Sequence, residues 1–187
     1  MGILVLLLTA VIFVVSCNSS GAPRPRGHFR IDLPEKLYIV YDSICPFTFE
    51  YPAYGVIVTD PGATEPCWFN IEFPRYRGKI HLSYKEVNGN IGLLIEDAHK
   101  LAYKHTVKAE AIEENYWENR EKNVFGTVYL IQGNAASSIQ FYLTDSVSNY
   151  LRGSLYFEVQ PDKDSLAPVI DFFREDVIHL VESLEWK

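Results

Sequence analysis

The chain has 187 residues, of which 48% are hydrophobic and 14% aromatic, and it carries a formal net charge of −7. That length supplies one domain with a sizeable core and argues against a multidomain array. The negative balance is steepest from Asp162 to Lys187, where seven acidic side chains stand against three basic ones, and it argues against a nucleic-acid partner.

The first element is the apolar run Ile3 to Val15, broken only at Thr9 and Ala10. It is short of the ~20 residues a membrane-spanning helix needs and fits the h-region of a signal peptide. It runs into Val14-Val15-Ser16-Cys17, which resembles the bacterial lipobox. On that reading residues 1–16 are a leader, and Cys17 becomes the new N-terminus after its thiolate has taken up a diacylglycerol. Only Met1-Gly2 precedes the run, so the usual Lys/Arg stretch is missing there. Residues 17–28 are polar and rich in Pro and Gly, as expected of a short tether between lipid and domain. Arg24, Arg26 and Arg30 are candidates for contact with anionic headgroups, at ~1 kcal/mol each.

The domain is expected over 29–187. Leu37–Tyr41 and Phe47–Tyr51 read as strands, the second alternating Phe47, Phe49 and Tyr51 with polar positions. Residues 52–66, with three prolines, read as a long loop. Cys67–Phe73 and Lys79–Tyr84 read as a strand pair, with Ile80, Leu82 and Tyr84 facing a core and Lys79, His81, Ser83 and Lys85 facing away. With Cys17 assigned to lipid, Cys45 and Cys67 remain as an even pair in an oxidising compartment. They are either a disulfide or two buried thiols.

From about Asn90 to His105 the apolar period changes to that of a helix, with Ile91, Leu94, Ile95, Ala98, Leu101 and Ala102 on one stripe. Val107–Ile112 reads as a strand and Glu113–Asn123 as a charged, solvated excursion. Val124–Gln132, Ala135–Thr144 and Asn149–Glu158, joined by short turns, read as an antiparallel meander. A last helix, capped at Asp164 or Ser165, carries Leu166, Val169, Ile170, Phe173, Val177, Leu180, Val181 and Leu184 on one stripe, with Pro168 expected in its first turn. The sum is one α+β domain, an antiparallel sheet of about seven strands with two main helices.

No phosphate loop, nucleophile elbow, His-Glu-x-x-His or Cys-x-x-Cys motif occurs, and no cofactor or metal is expected. His99 and His105 are six residues apart, roughly 240° around a helix, so they do not share a face. His81 would be a third ligand only by chance. Glu72 with Glu96 or Asp97 is a carboxylate pair of the kind glycoside hydrolysis needs, and Ser137-Ser138 and Ser83/His81 are nucleophile candidates, but none has spacing that sets it apart. Tyr76, Tyr116, Tyr150 and Trp117 are the candidate exposed aromatic anchors.

An ordered series of stretches resembles one family. It comprises Pro23–Pro34 (PRPRGHFRIDLP), Cys45–Pro52 (CPFTFEYP), Cys67–Pro74 (CWFNIEFP), Gly78–Lys85 (GKIHLSYK), Tyr103–Ala109, Gly133–Asp145, Arg152–Phe157 and Pro161–Ile170, closing on Leu184-Glu-Trp-Lys187. These are similar to the GldD family of gliding-motility lipoproteins of the Bacteroidetes. The resemblance implies a non-enzymatic component that works with other gliding lipoproteins and the envelope machinery associated with type IX secretion. Cys17 is the one position to which it gives a defined role. The order of elements is also similar to a PsbP-like sandwich. Asn18-Ser19-Ser20 after the cysteine lacks the acidic run that directs such lipoproteins to the cell surface, so a periplasm-facing protein is expected. A cell-wall hydrolase and a peptidoglycan or small-ligand binding module are the rival readings.

Overall fold

Among the described residues, ten strands and two helices form in the order β1 (Tyr38–Asp42), β2 (Phe47–Pro52), β3 (Val56–Thr59), β4 (Trp68–Phe73), β5 (Gly78–Glu86), α1 (Ile91–Tyr103), β6 (Ala109–Asn119), β7 (Val124–Gly133), β8 (Ser137–Thr144), β9 (Asn149–Phe157), α2 (Lys163–Ser183) and β10 (Glu185–Trp186). The protein is seen here as a computed structural model that describes residues 31–59 and 62–187. Asp32–Lys187 forms one compact unit. Cys17, Arg24, Arg26 and Arg30 lie outside the described residues.

The main sheet is antiparallel, in the order β3-β4-β5-β9-β8-β7-β6. The segment from α1 through β8 is inserted between β5 and β9, which lie side by side. A second sheet, β1-β2-β10, stands apart from it. The α+β class and the seven-stranded sheet with two helices are thus as expected, but the strands that make up the seven differ. β1 and β2 leave for the small sheet. The sheet gains β3, found inside the expected loop 52–66, and β6, expected only as far as Ile112, extends through most of the expected excursion to Asn119. Both are edge strands, each with one partner, β4 and β7 respectively. Exposed side chains on an edge make such a segment read as loop although its backbone is laddered.

Cross-strand register sorts the main sheet into two unlike faces. Ile71, Ile80, Leu155 and Ile139 sit side by side across β4, β5, β9 and β8, and all four are fully buried. This apolar face carries α2, whose Phe173 ring lies 4.5 Å from Phe73 and 5.8 Å from Phe157. It also carries the small sheet, whose Phe47 and Phe49 stack near Phe69. Burying each such side chain contributes ~2 kcal/mol, which makes this layer the main source of stability. Gly153 on β9 is required there, because a Cβ would come within 2.2 Å of the Phe141 ring.

The opposite face is half covered. α1 buries Leu94, Ala98 and Ala102 against Tyr129, Tyr142 and Tyr150. One residue further along these strands the row is polar: Asn70, His81, Ser154 and Gln140 stand opposite one another across four strands.

α2 starts earlier than its sequence suggests. Asp162, not Asp164 or Ser165, is the cap, and its side chain accepts from the backbone N–H groups of both. Pro168 therefore falls beyond the first turn, inside the helix, where it has no N–H to donate to the helical ladder.

Candidate functional site

Two groupings of polar side chains stand out. The first fastens the start of the domain to α2. Asp176 is fully buried at a position that otherwise belongs to the apolar stripe, three residues after Phe173 and four before Leu180. Its Oδ1 accepts from Tyr38 Oη at 3.0 Å and lies 2.7 Å from Lys36 Nζ, while its Oδ2 accepts from Tyr54 Oη at 2.5 Å. Lys36 also donates to the Phe172 carbonyl at 2.6 Å and sits 3.3 Å above the Phe172 ring. Three donors therefore satisfy the buried carboxylate, as burial demands. Burial and the Asp176 charge push the hydroxyls of Tyr38 and Tyr54 well above the usual phenol range.

The grouping extends outward. The Tyr38 ring stacks on His179 at 3.6 Å, and His179 Nε2 lies 2.6 Å from Glu50 Oε2. Tyr76 Oη donates to the Asp32 carbonyl at 2.8 Å. Residues 32–38 are thereby held along the domain up to the first residue of β1.

The second grouping is the polar row beneath the end of α1. His81 Nδ1 lies 2.7 Å from Asn70 Oδ1, and Arg152 Nη2 donates to Gln140 Oε1 at 2.9 Å. Arg152 Nε, Gln140 Nε2 and Ser138 Oγ are buried without a hydrogen-bond partner. His105 sits in the 3-10 turn Lys104–Val107 that follows α1. Burial and the nearby Arg152 charge lower its proton affinity.

The residues singled out in the sequence are scattered over this frame. His99 lies on α1 with Nε2 3.6 Å from Glu114 Oε1, away from the row that holds His81. Among the described residues no three His, Cys, Asp or Glu side chains are placed to hold a metal. Glu72 stands opposite Lys79, whereas Glu96 pairs with Lys100 on the surface of α1 at 2.7 Å. Ser137 Oγ donates to the Ile139 carbonyl. Tyr150 is core, its hydroxyl donating to the Leu94 carbonyl, and Tyr76 is spent on Asp32. Tyr116, on β6, is 67% exposed and alone of those four presents a largely free ring.

Cys45 and Cys67 are joined, with Cα atoms 5.8 Å apart. The link pins the turn before β2 to the start of β4, one strand in each sheet. Among the described residues no helix is long and apolar enough to cross a membrane.

The sequence profile of the family described as gliding motility lipoprotein GldD matches residues 18–186. No curated protein matches the chain. Among solved structures, the chain is similar to the solution structure of cyanobacterial PsbP (CyanoP) from Synechocystis sp. PCC 6803. The TM-score is 0.52 over 89% of this chain and 100% of that one, and at 11% identity the likeness is one of fold alone.

Proposed function

We propose, from the premise that this chain belongs to the GldD family of gliding motility lipoproteins, that it is a non-catalytic assembly or stabilising component of the gliding envelope machinery of Bacteroidetes. It is held by lipid on Cys17 and faces the periplasm. The observation that carries this reading is the fastening of residues 32–38 to α2 through Lys36, Tyr38 and Asp176. A chain arriving from a lipid anchor is gripped there by the buried face of a helix that is itself embedded in the main core. A pull on the tether is delivered to the most heavily packed part of the domain and does not peel away an edge. Confinement to a membrane surface raises the effective concentration of neighbouring envelope proteins, so weak contacts suffice for assembly. Those neighbours are the other gliding lipoproteins and the machinery associated with type IX secretion.

Crosslinking in intact cells followed by capture of this protein tests the reading. Co-capture of gliding envelope proteins supports it. Motility lost on substituting Glu72, Glu96 or His81 with protein levels unchanged would favour a cell-wall hydrolase instead, and retention on purified sacculi would favour a peptidoglycan-binding module.

A further inference from the structure

We propose that the polar face beside the end of α1 binds one small oxyanion group, carboxylate or phosphate, with Arg152 as its counter-ion.

Arg152 lies on β9, the central strand, half-buried, and among the described residues it takes part in none of the ion pairs. Its one hydrogen bond, to Gln140, is to a neutral group. A partly desolvated guanidinium without a negative partner is an unstable arrangement unless something supplies the charge.

Polar atoms of Arg152 and of the neighbouring strand β8 are short of an acceptor. Arg152 Nε–H, the Gln140 amide N–H groups and the Ser138 hydroxyl are all buried and unfilled, and Gln140 is 98% and Ser138 92% removed from solvent. Two of the three groups can only donate, so what would satisfy them is an acceptor. Water would meet the hydrogen bonds but leave the charge uncompensated. An oxyanion does both, and a guanidinium edge matches its geometry.

A recess opens at the turn between β7 and β8, two residues before Ser138. It measures ≈ 190 Å³ and is lined by Lys104, His105, Lys108, Asn134 and Ala136, and its size suits a small anionic group. His105 lines the recess, and burial together with the Arg152 charge lowers its proton affinity. Lys104 and Lys108 at the mouth are exposed and add attraction for an anion.

This inference does not depend on the tether, so its failure leaves the proposed function standing. The test uses the full chain in detergent micelles, with the ¹⁵N resonances of Arg152 Nε–H and of the backbone followed while sodium acetate or inorganic phosphate replaces chloride at fixed ionic strength. The expected result is a saturating displacement of Arg152 Nε–H and of the amides of residues 104–108 and 138–140 by at least one anion. The anion that saturates at lower concentration assigns the ligand as carboxylate-bearing or phosphate-bearing.

Arg152→Gln should weaken binding by about tenfold or more, as loss of a charge-assisted contact implies. Lys108→Gln, an exposed change that leaves the fold alone, should weaken it by a smaller factor. Linear, non-saturating shifts with both anions would overturn the proposal, as would unchanged affinity in both variants. A crystal grown in phosphate with only water on Arg152 Nε and Gln140 Nε2 would overturn it too.

Discussion

Lys36 Nζ lies 2.7 Å from Asp176 Oδ1, which joins a residue just ahead of β1 to a fully buried carboxylate in the last helix. The Lys36 side chain is 23% exposed and that of Asp176 is not exposed at all. Removing the charge on one side leaves the other partly desolvated and unpaired. Asp176→Asn should therefore cost about 3 kcal/mol in urea unfolding of the full chain. A double-mutant cycle with Lys36→Met should show a coupling of about 1 kcal/mol or more. Additive effects would mean that the two residues do not act as a pair.

The same carboxylate sets a dependence on alkaline pH. Tyr38 and Tyr54 have folded-state ionisations raised above the ordinary phenol value of 10.0 by burial and by Asp176. The unfolded chain thus releases these protons first, and fewer protons are bound there than in the native state above pH 10. Stability from this source is full below pH 10 and declines as pH rises beyond it. Urea midpoints from pH 8 to 11 should fall only above about pH 10, and the fall should be shallower in Tyr38→Phe/Tyr54→Phe. An equal decline in that variant would assign the effect to other tyrosines.

The link between Cys45 and Cys67 closes a separation of 22 residues and crosses from the small sheet to the main one. Native protein with an acylated Cys17 should show no free thiol before reduction and two after reduction and unfolding. Cys45→Ser/Cys67→Ser should lose about 3 kcal/mol, the scale expected for a loop of that size. Two reactive thiols in unreduced, freshly extracted protein would contradict the bridge.

Gly153 allows the far end of the Phe141 ring to sit against the β9 backbone, with no room for a Cβ. Gly153→Ala should destabilise the domain by about 1–3 kcal/mol through overpacking. In the Phe141→Leu background the added cost of the methyl group should shrink. Thermal unfolding of the four proteins measures the difference, and an undiminished cost would place the strain elsewhere.

What could be read from the sequence followed from how strongly each segment's side chains repeat. β5 and α1 carry clean periods of two and 3.6 over many residues, so Ile80, Leu82, Leu94 and Ala98 were identifiable as core. β3 and the second half of β6 were hidden because each strand is paired on one edge alone, and the glutamates of β6 resemble those of a solvated loop. β10 is two residues long and acquires its identity only by pairing with Thr48 and Phe47.

The two polar groupings depend on long-range closure. Lys36, Tyr38, Tyr54 and Asp176 come from four elements or loops, and the one local signal was a carboxylate at an apolar stripe position. Arg152 gave a comparable hint as a charged residue inside the meander. Its partner Gln140 meets it only through the pairing of β8 with β9.

The most direct test of the tethered-component reading is replacement of Cys17 by alanine at the chromosomal copy, with membrane fractionation and colony spreading measured on the same cells. The account predicts a domain that stays folded and resistant to protease, is lost from the membrane fraction, and does not support gliding. Cys17→Ala cells that keep the protein at the membrane and spread like the parent would contradict it.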